Sequence, residues 1–460
     1  MRIHYALVAL GALVLSGCAP LGKTPYAAPP LPAPDAWRQG AGPAAAAAAR
    51  DHWWRDFQDP ALAALVEDAL LRNNDLAAAA IAVRRARLLA GLTDRNALPQ
   101  PSVTVGAGAA RDLRGDAGAT RSYSVSAGMA YEVDLWGKLS LQRDAAQWAA
   151  QAKEQDRQSV ALSLIGTTMG LYWRAGYLNE RIALAAQSIG HARQALDIAR
   201  VKHAAGAIAT LDVLQAEQTL ASQHADLAQL EYQREENRTA LALLFDAPSG
   251  VPLPEPEQLP DGPYPAIDAG LPVHLLSRRP DVRAAELRLR ETLAAGDASR
   301  MGFYPALSLT GSLGAGSPAL LSLLRNPAAA LGAGLALPFI QWQEMKLNAG
   351  IARADHERAV IAFRQAFYRA LGEVENALSR RQQLAGQADY LDQALATARK
   401  AERIAEIQYR AGTVPIKSWL DAQEARRSAS TMAAANRLER LAAHAALYQA
   451  LGGGAAVSPP

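Results

Sequence analysis

A single offset of 206 residues carries this 460-residue chain onto itself. Asn74-Asp75-Leu76 falls on Pro280-Asp281-Val282, Arg84 on Arg290, Pro99 on Pro305, Gly128 on Gly334 and Trp136 on Trp342. Far downstream, Ala205-Gly206-Ala207 falls on Ala411-Gly412-Thr413, and Leu214-Gln215-Ala216 on Leu420-Asp421-Ala422. One register held through helical and strand-like stretches alike means that a unit of about two hundred residues has been duplicated. The fold must therefore accommodate two equivalent, interlocked halves rather than a string of unrelated domains.

Within each half the period of the apolar residues changes from helical to strand-like and back. Asp59-Pro60 is a helix start, with a capping acid and proline in the first turn, and the helix should run to about Ala97, ahead of Pro99. Val103, Val105, Ala107 and Ala109 then alternate with small or polar neighbours. From Ser122 to Val133, Tyr123, Val125, Ala127, Met129, Tyr131 and Val133 take one face, while Ser122, Ser124, Ser126, Gly128, Ala130 and Glu132 take the other. That is period two, a strand pair joined by the polar loop Arg111 to Arg121. The second half repeats it with Leu307, Leu309 and Leu313 alternating with Ser308, Thr310 and Ser312. Leu331, Ala333, Leu335 and Leu337 follow on a fourth strand.

A very long helical stretch follows each pair. Lys138 to about His203 contains no proline, and at about 1.5 Å per residue such a helix would span on the order of 100 Å. It should turn at Ala205-Gly206, where glycine can end a helix, and return from about Thr210 to Phe245. The second half does the same from about Lys346 to Arg410, turns at Gly412-Thr413-Val414-Pro415 and returns to Leu451. A proline-rich connector joins the halves. The expected organisation is a leader over 1–17, a tether over 18–58, a first repeat over 59–246 and a connector over 247–272. A second repeat over 273–452 and a tail over 453–460 complete it. The strands are expected near 101–111, 122–134, 305–315 and 329–340.

No run of eighteen consecutive apolar residues exists, so no helix spans a bilayer. A net charge of +3 is too small to argue for nucleic acid. The single cysteine, Cys18, excludes an internal disulfide and a thiolate zinc cluster. Arg2 and the apolar stretch Tyr5 to Val14 read as a secretory leader, and Leu15-Ser16-Gly17-Cys18 resembles the bacterial lipobox. That resemblance implies cleavage before Cys18, an S-diacylglycerol and an N-acyl chain on it, and a membrane-anchored product. Ala19, rather than aspartate, after the cysteine points to the outer membrane. Residues 19 to 50, rich in Pro and Ala, read as an extended tether, much of it without regular structure.

Four strands with one apolar and one small polar face match the signature of a transmembrane β-barrel, yet four cannot close one. An open edge in lipid leaves backbone groups unsatisfied, so the strands must pair with those of other copies. The other possibility is a small soluble sheet beside a helical bundle.

Leu271-Pro272, Leu275 to Glu286 (Leu-Leu-Ser-Arg-Arg-Pro-Asp-Val-Arg-Ala-Ala-Glu), Tyr304 to Thr310, Tyr131 to Gly137 and Asp421-Ala422-Gln423 together resemble the TolC-like outer-membrane efflux family. Within it they are similar to the NodT and OprM type of lipoprotein that serves RND-type pumps. The resemblance covers the chain from Cys18 to about Gly452. It implies a mainly α fold with membrane β: a homotrimer whose twelve strands form one outer-membrane barrel above a long α-helical periplasmic barrel. It also implies a periplasmic adaptor and an inner-membrane pump as partners. A passive exit duct is the function so implied. A coiled-coil adaptor or structural lipoprotein without a barrel is the alternative, and an envelope hydrolase finds no catalytic constellation.

The histidines fall in no metal-ligand spacing, most sit on charged helix faces and nearly all read as solvated surface, and no glycine-rich loop opens a helix as a phosphate cradle. Arg114-Gly115-Asp116 and the sequon Asn237-Arg238-Thr239 read as chance matches. Neither a catalytic residue nor a metal or cofactor site is expected. A long tunnel must be shut when idle, and its constriction should lie at the helical turns. There stand Asp212, Tyr409, Arg410, Lys417 and Asp421. By the resemblance, Tyr409 and Asp212 occupy the positions of a Tyr–Asp link that closes the aperture, and Asp421 an acidic ring position giving cation preference. Val414 stands where a gating arginine would be expected, and Ser418 where a second ring aspartate would be. The halves stop matching here: Asp212 faces Ser418, Leu211 faces Lys417 and His203 faces Tyr409.

Overall fold

The computed structural model describes residues 22–39, 51–111, 119–267, 269–270, 272–325 and 327–453. Cys18, the leader and Arg114-Gly115-Asp116 lie outside them. The described chain falls into two compact units, and each draws on both halves of the repeat. The first holds the described residues of Met1–Leu31 with Ile81–Gln155 and Arg283–Ala366; the second holds those of Pro32–Ala80, Asp156–Val282 and Phe367–Pro460.

The first half runs α1 (Pro60–Arg72), α2 (Asn74–Asn96), β1 (Gln100–Ala110), β2 (Thr120–Val133), α3 (Lys138–Ala204) and α4 (Thr210–Leu244). The second runs α5 (Pro280–Met301), β3 (Ala306–Ser317), β4 (Pro327–Ala336), α6 (Trp342–Arg410) and α7 (Ile416–Ala450), with a single short turn, Leu275–Arg278, ahead of α5. No helix among the described residues is long and apolar enough to cross a membrane.

The helix expected from Asp59 to Ala97 breaks at Asn73. Asp59 caps α1 as its sequence predicts, its carboxylate accepting from the backbone N–H groups of Ala61 and Leu62 at 3.0 Å. Asn73 then turns extended (φ −69°, ψ 128°), and its side chain does two jobs. Its amide oxygen accepts from Leu76 N–H, capping α2, while its NH₂ donates to the carbonyl of Leu244 at the end of α4, both at 3.0 Å. A buried asparagine offering both a donor and an acceptor competes with the helical ladder, and here it wins. The second half breaks at the position 206 residues on. Arg279 separates the short turn from α5, and its guanidinium donates to the carbonyl of Ala450, the repeat equivalent of Leu244. The repeat thus extends to individual hydrogen bonds.

The sheet is antiparallel in the order β1-β2-β3-β4, with regular register throughout. Val105 opposes Val125, which opposes Ala315; Leu309 lies between Tyr131 and Ala333. Because side chains alternate between faces, the large apolar residues of all four strands share one face, and the Ser, Thr and Gly residues, Gly311 and Ser317 apart, share the other. The apolar face is bare: Val103 is 75% exposed and Leu331 94%. β4 ends at Ala336, earlier than expected, because Pro338 opens a 3-10 turn and cannot donate to a ladder. α6 accordingly begins at Trp342. Beyond β2, Gly137 takes φ +78° and lets the chain swing into α3, whose first N–H groups, those of Leu139 and Ser140, donate to the Asp134 carboxylate.

Residues 22–39 of the tether have no regular structure but are docked, whereas Trp53–Phe57 form a 3-10 turn. Thr24 donates through both its N–H and its hydroxyl to the buried Asp297 carboxylate, and the Tyr26 ring lies under the Arg290 guanidinium at 4.3 Å. In the second unit, Trp53, Trp54, Leu62, Ile165, Met169, Trp173 and Phe245 form the main core. One histidine departs from the solvated reading. His444 is buried, stacked on Tyr264 with its Nδ1 against the carbonyl of Arg440, and burial holds its pKa below the ordinary value.

Candidate functional site

The two turns joining α3 to α4 and α6 to α7 carry the residues expected to close a tunnel. Both are built the same way. Gly206 takes φ +73° and Gly412 φ +76°, a left-handed conformation in which a side chain would be strained. The flanking N–H groups then reach back to orphan carbonyls: Gly206 to His203 and Ala207 to Lys202, Gly412 to Tyr409 and Thr413 to Gln408.

What the two turns enclose is an apolar knot. Ala195, Leu196, Ala199, Ala216, Tyr409, Ile416, Trp419 and Leu420 are buried together, and Val414 packs against them. The absence of an arginine at Val414 follows from this: the position faces the knot. Tyr409 is 1% exposed, its ring stacked on Trp419 with centroids 5.5 Å apart. The ammonium of Lys202 sits 4.2 Å above the Tyr409 ring and donates to the Tyr409 carbonyl at 2.7 Å. One lysine from the first half thus holds both the ring and the backbone of a tyrosine from the second.

The structure does not bring Tyr409 and Asp212 into a hydrogen bond within one chain. The Tyr409 hydroxyl is buried without a partner among the described residues. Burial, and secondarily the Asp212 charge, raises its pKa. The Asp212 carboxylate instead accepts from the N–H of Ala209 at 3.2 Å, closing the first turn of α4. Lys417 and Asp421 meet one turn apart on α7: both Asp421 oxygens accept from Nζ at 2.9 Å, and both side chains are well exposed. The pair therefore cancels within the protomer much of the charge that Asp421 alone would offer. Behind it, a groove between α4 and α7 is lined by Gln215, Thr219, Gln223, Lys417, Asp421 and Arg427.

Trp419 and Lys202 are members of the site that sequence reasoning missed. The repeat offered a signal for both, since Trp419 falls on Val213 and Lys202 on Gln408, two further breaks in symmetry at the same turns. Among the described residues no group of three or more His, Cys, Asp or Glu side chains could hold a metal.

Comparison with known proteins agrees along the whole length. The family model described as "Outer membrane efflux protein" matches residues 65–245 and 271–453. The chain is 31% identical to the pyoverdine export outer membrane protein OpmQ of Pseudomonas putida, covering 98% of this chain and 97% of the relative. It is 30% identical to the toluene efflux pump outer membrane protein TtgF of Pseudomonas putida, covering 99% and 97%. Among solved structures, the open state of the Neisseria gonorrhoeae MtrE outer membrane channel superposes with a TM-score of 0.83 at 29% identity, covering 94% of this chain and 98% of that one.

Proposed function

Because the chain belongs to the outer membrane efflux protein family, we propose that its helical turns form the closure of an export duct whose membrane wall is made by three copies of the four-stranded sheet. The protein is an outer-membrane channel of a tripartite efflux system, a trimer working with a periplasmic adaptor and an inner-membrane pump. The observation that carries the barrel reading is the sheet. Its apolar face runs across four strands and is widely exposed on β1 and β4, which form the two edges of the sheet among the described residues. A backbone edge cannot be left in hydrocarbon, so β1 of one copy pairs with β4 of the next until the ring closes at twelve strands. The inner face carries Ser, Thr, Gly and Ala, which suits a wide, weakly selective, water-filled passage. Relatives of nearly equal identity are named for pyoverdine and for toluene, in keeping with such a duct.

No catalytic step is assigned, and cargo moves down the gradient the pump creates. Cys18 carries the lipid that holds the N-terminus at the outer membrane, with no further cofactor. At the turns, Tyr409 acts through its ring, packed between Lys202 and Trp419, and Asp212 acts by holding the start of α4. Asp421 confers a cation preference that Lys417 restrains.

Two measurements test this reading. The trimer should survive SDS and shift its migration on heating, and Leu331→Arg, placing a charge on the lipid face at a cost of about 2–4 kcal/mol per chain, should abolish it while Thr310→Arg on the inner face is tolerated. A protein indifferent to both substitutions has no barrel. In planar bilayers, Asp212→Ala should raise the conductance of the closed state. An unchanged closed state removes Asp212 from the closure.

A further inference from the structure

The connection between β3 and β4 is unlike the polar loop between β1 and β2. It holds a 3-10 turn, Leu320–Arg325, with the sequence Leu-Leu-Ser-Leu-Leu-Arg. Leu321 is 100% exposed, Leu324 78% and Leu320 62%. Three bare leucines on one short turn are an unusual load for a loop in water.

Where the turn lies is decided by two serines. Ser317 is the last residue of β3 and opposes Tyr123, so its side chain is on the same face as Leu309, Leu313 and Val125. Its hydroxyl meets that of Ser322, inside the turn, at 2.6 Å, and also accepts from Ala319 N–H. The turn is therefore fastened to the apolar face of the sheet. It packs on β2 as well as β3, and Tyr123 and Val125 beside it are half-buried while Val103 and Val105 on β1 remain bare. The opposite ends of all four strands lead into the helices, so the turn sits at the end of the sheet farthest from them. Since it covers the two central strands, it leaves the β1 and β4 edges clear for neighbouring copies.

We propose that this turn is a second membrane anchor: Leu320, Leu321 and Leu324 insert among the acyl chains of the outer leaflet, continuous with the lipid-facing band below, and Arg325 closes the turn at the headgroup level. The inference rests on the barrel reading above. The chain would then be held from both sides of the outer membrane, by the lipid on Cys18 at the periplasmic face and by a leucine turn at the outer one. A basic residue ending an apolar turn is the arrangement that an interfacial element uses, with its charge toward anionic headgroups and its apolar face below them.

The test uses the full-length trimer reconstituted in phosphatidylethanolamine–phosphatidylglycerol vesicles, with an environment-sensitive fluorophore on Leu321→Cys or, in a second preparation, on Leu324→Cys. Val105→Cys serves as the lipid-face reference and the unsubstituted protein as the labelling background. A nitroxide on the lipid acyl chain should quench the label at both turn positions as strongly as at position 105, while aqueous iodide leaves it bright. Quenching by iodide at the turn with position 105 still in lipid overturns the anchor and leaves the barrel standing. Protection from both quenchers shows a protein partner on the turn and overturns it equally. Loss of lipid quenching at position 105 itself overturns the barrel reading.

Discussion

Replacing Tyr409 separates two ways in which the turns could hold a tunnel shut. If the ring is what matters, Tyr409→Phe keeps nearly everything the structure shows: the stack on Trp419, the ammonium of Lys202 above the ring and its bond to the residue's carbonyl. It deletes only a buried hydroxyl with no partner, so the change should lie within about 1 kcal/mol of neutral and on the stabilising side. Tyr409→Ala removes the ring from a site that is 1% exposed. Truncating a fully buried aromatic costs about 3–5 kcal/mol, a figure that already includes the lost stacking and cation–π contacts. At about 1.4 kcal/mol per factor of ten, local opening of the turns becomes roughly a hundred- to a few thousand-fold more frequent. The assay is single-channel recording of the reconstituted trimer, scoring the open probability in the resting state, with hydrogen exchange of the α6–α7 turn as a readout independent of conduction. Tyr409→Ala should gate open often and exchange fast, and Tyr409→Phe should resemble the parent in both. If Tyr409→Phe opens the channel as readily as Tyr409→Ala, the hydroxyl holds the closure and the packing account is wrong.

Other consequences are simpler to state. Lys417→Gln should increase the preference for cations over anions, read as a shift in reversal potential under a salt gradient, because it frees the Asp421 carboxylate; no shift would place the pair outside the conduction path. Asn73→Ala removes the cap of α2 and leaves the half-buried Leu244 carbonyl without this donor, for a combined loss of about 2–4 kcal/mol in denaturant unfolding. His444 is held neutral by burial beside Arg381 and Arg440, so its folded pKa lies below the ordinary 6.5. As pH falls from that ordinary value toward the depressed one, the unfolded chain binds a proton that the folded chain resists, and stability declines. The fall in the urea midpoint between about pH 7.5 and 5 should therefore be shallower in His444→Phe than in the parent, and an equal slope in the two would assign the acid sensitivity elsewhere.

The duplication, the strand faces, the long helices and both glycine turns were legible from residue order alone, because each depends on neighbours close in the chain. An alternation of period two, a proline-free run of helical period and a glycine placed to take positive φ act locally, whatever the rest of the molecule does. The family's motifs were equally readable and led to the trimeric duct. What the sequence could not settle depends on which groups meet across long separations. Asn73 reads as one more residue in a helix until its amide is seen to reach the Leu244 carbonyl, and Arg279 looks like a surface charge until it reaches Ala450. Tyr409 and Asp212 both stand at the turns, where the family resemblance implies a link between them, yet within the chain the hydroxyl is buried beside a knot of apolar side chains and the carboxylate closes the first turn of its own helix. The sequence marks no element in the β3–β4 connection, and only the contact between Ser317 and Ser322 fastens its leucines to the apolar face of the sheet. Periodicity says which side of an element is apolar; tertiary contacts alone decide what that side meets.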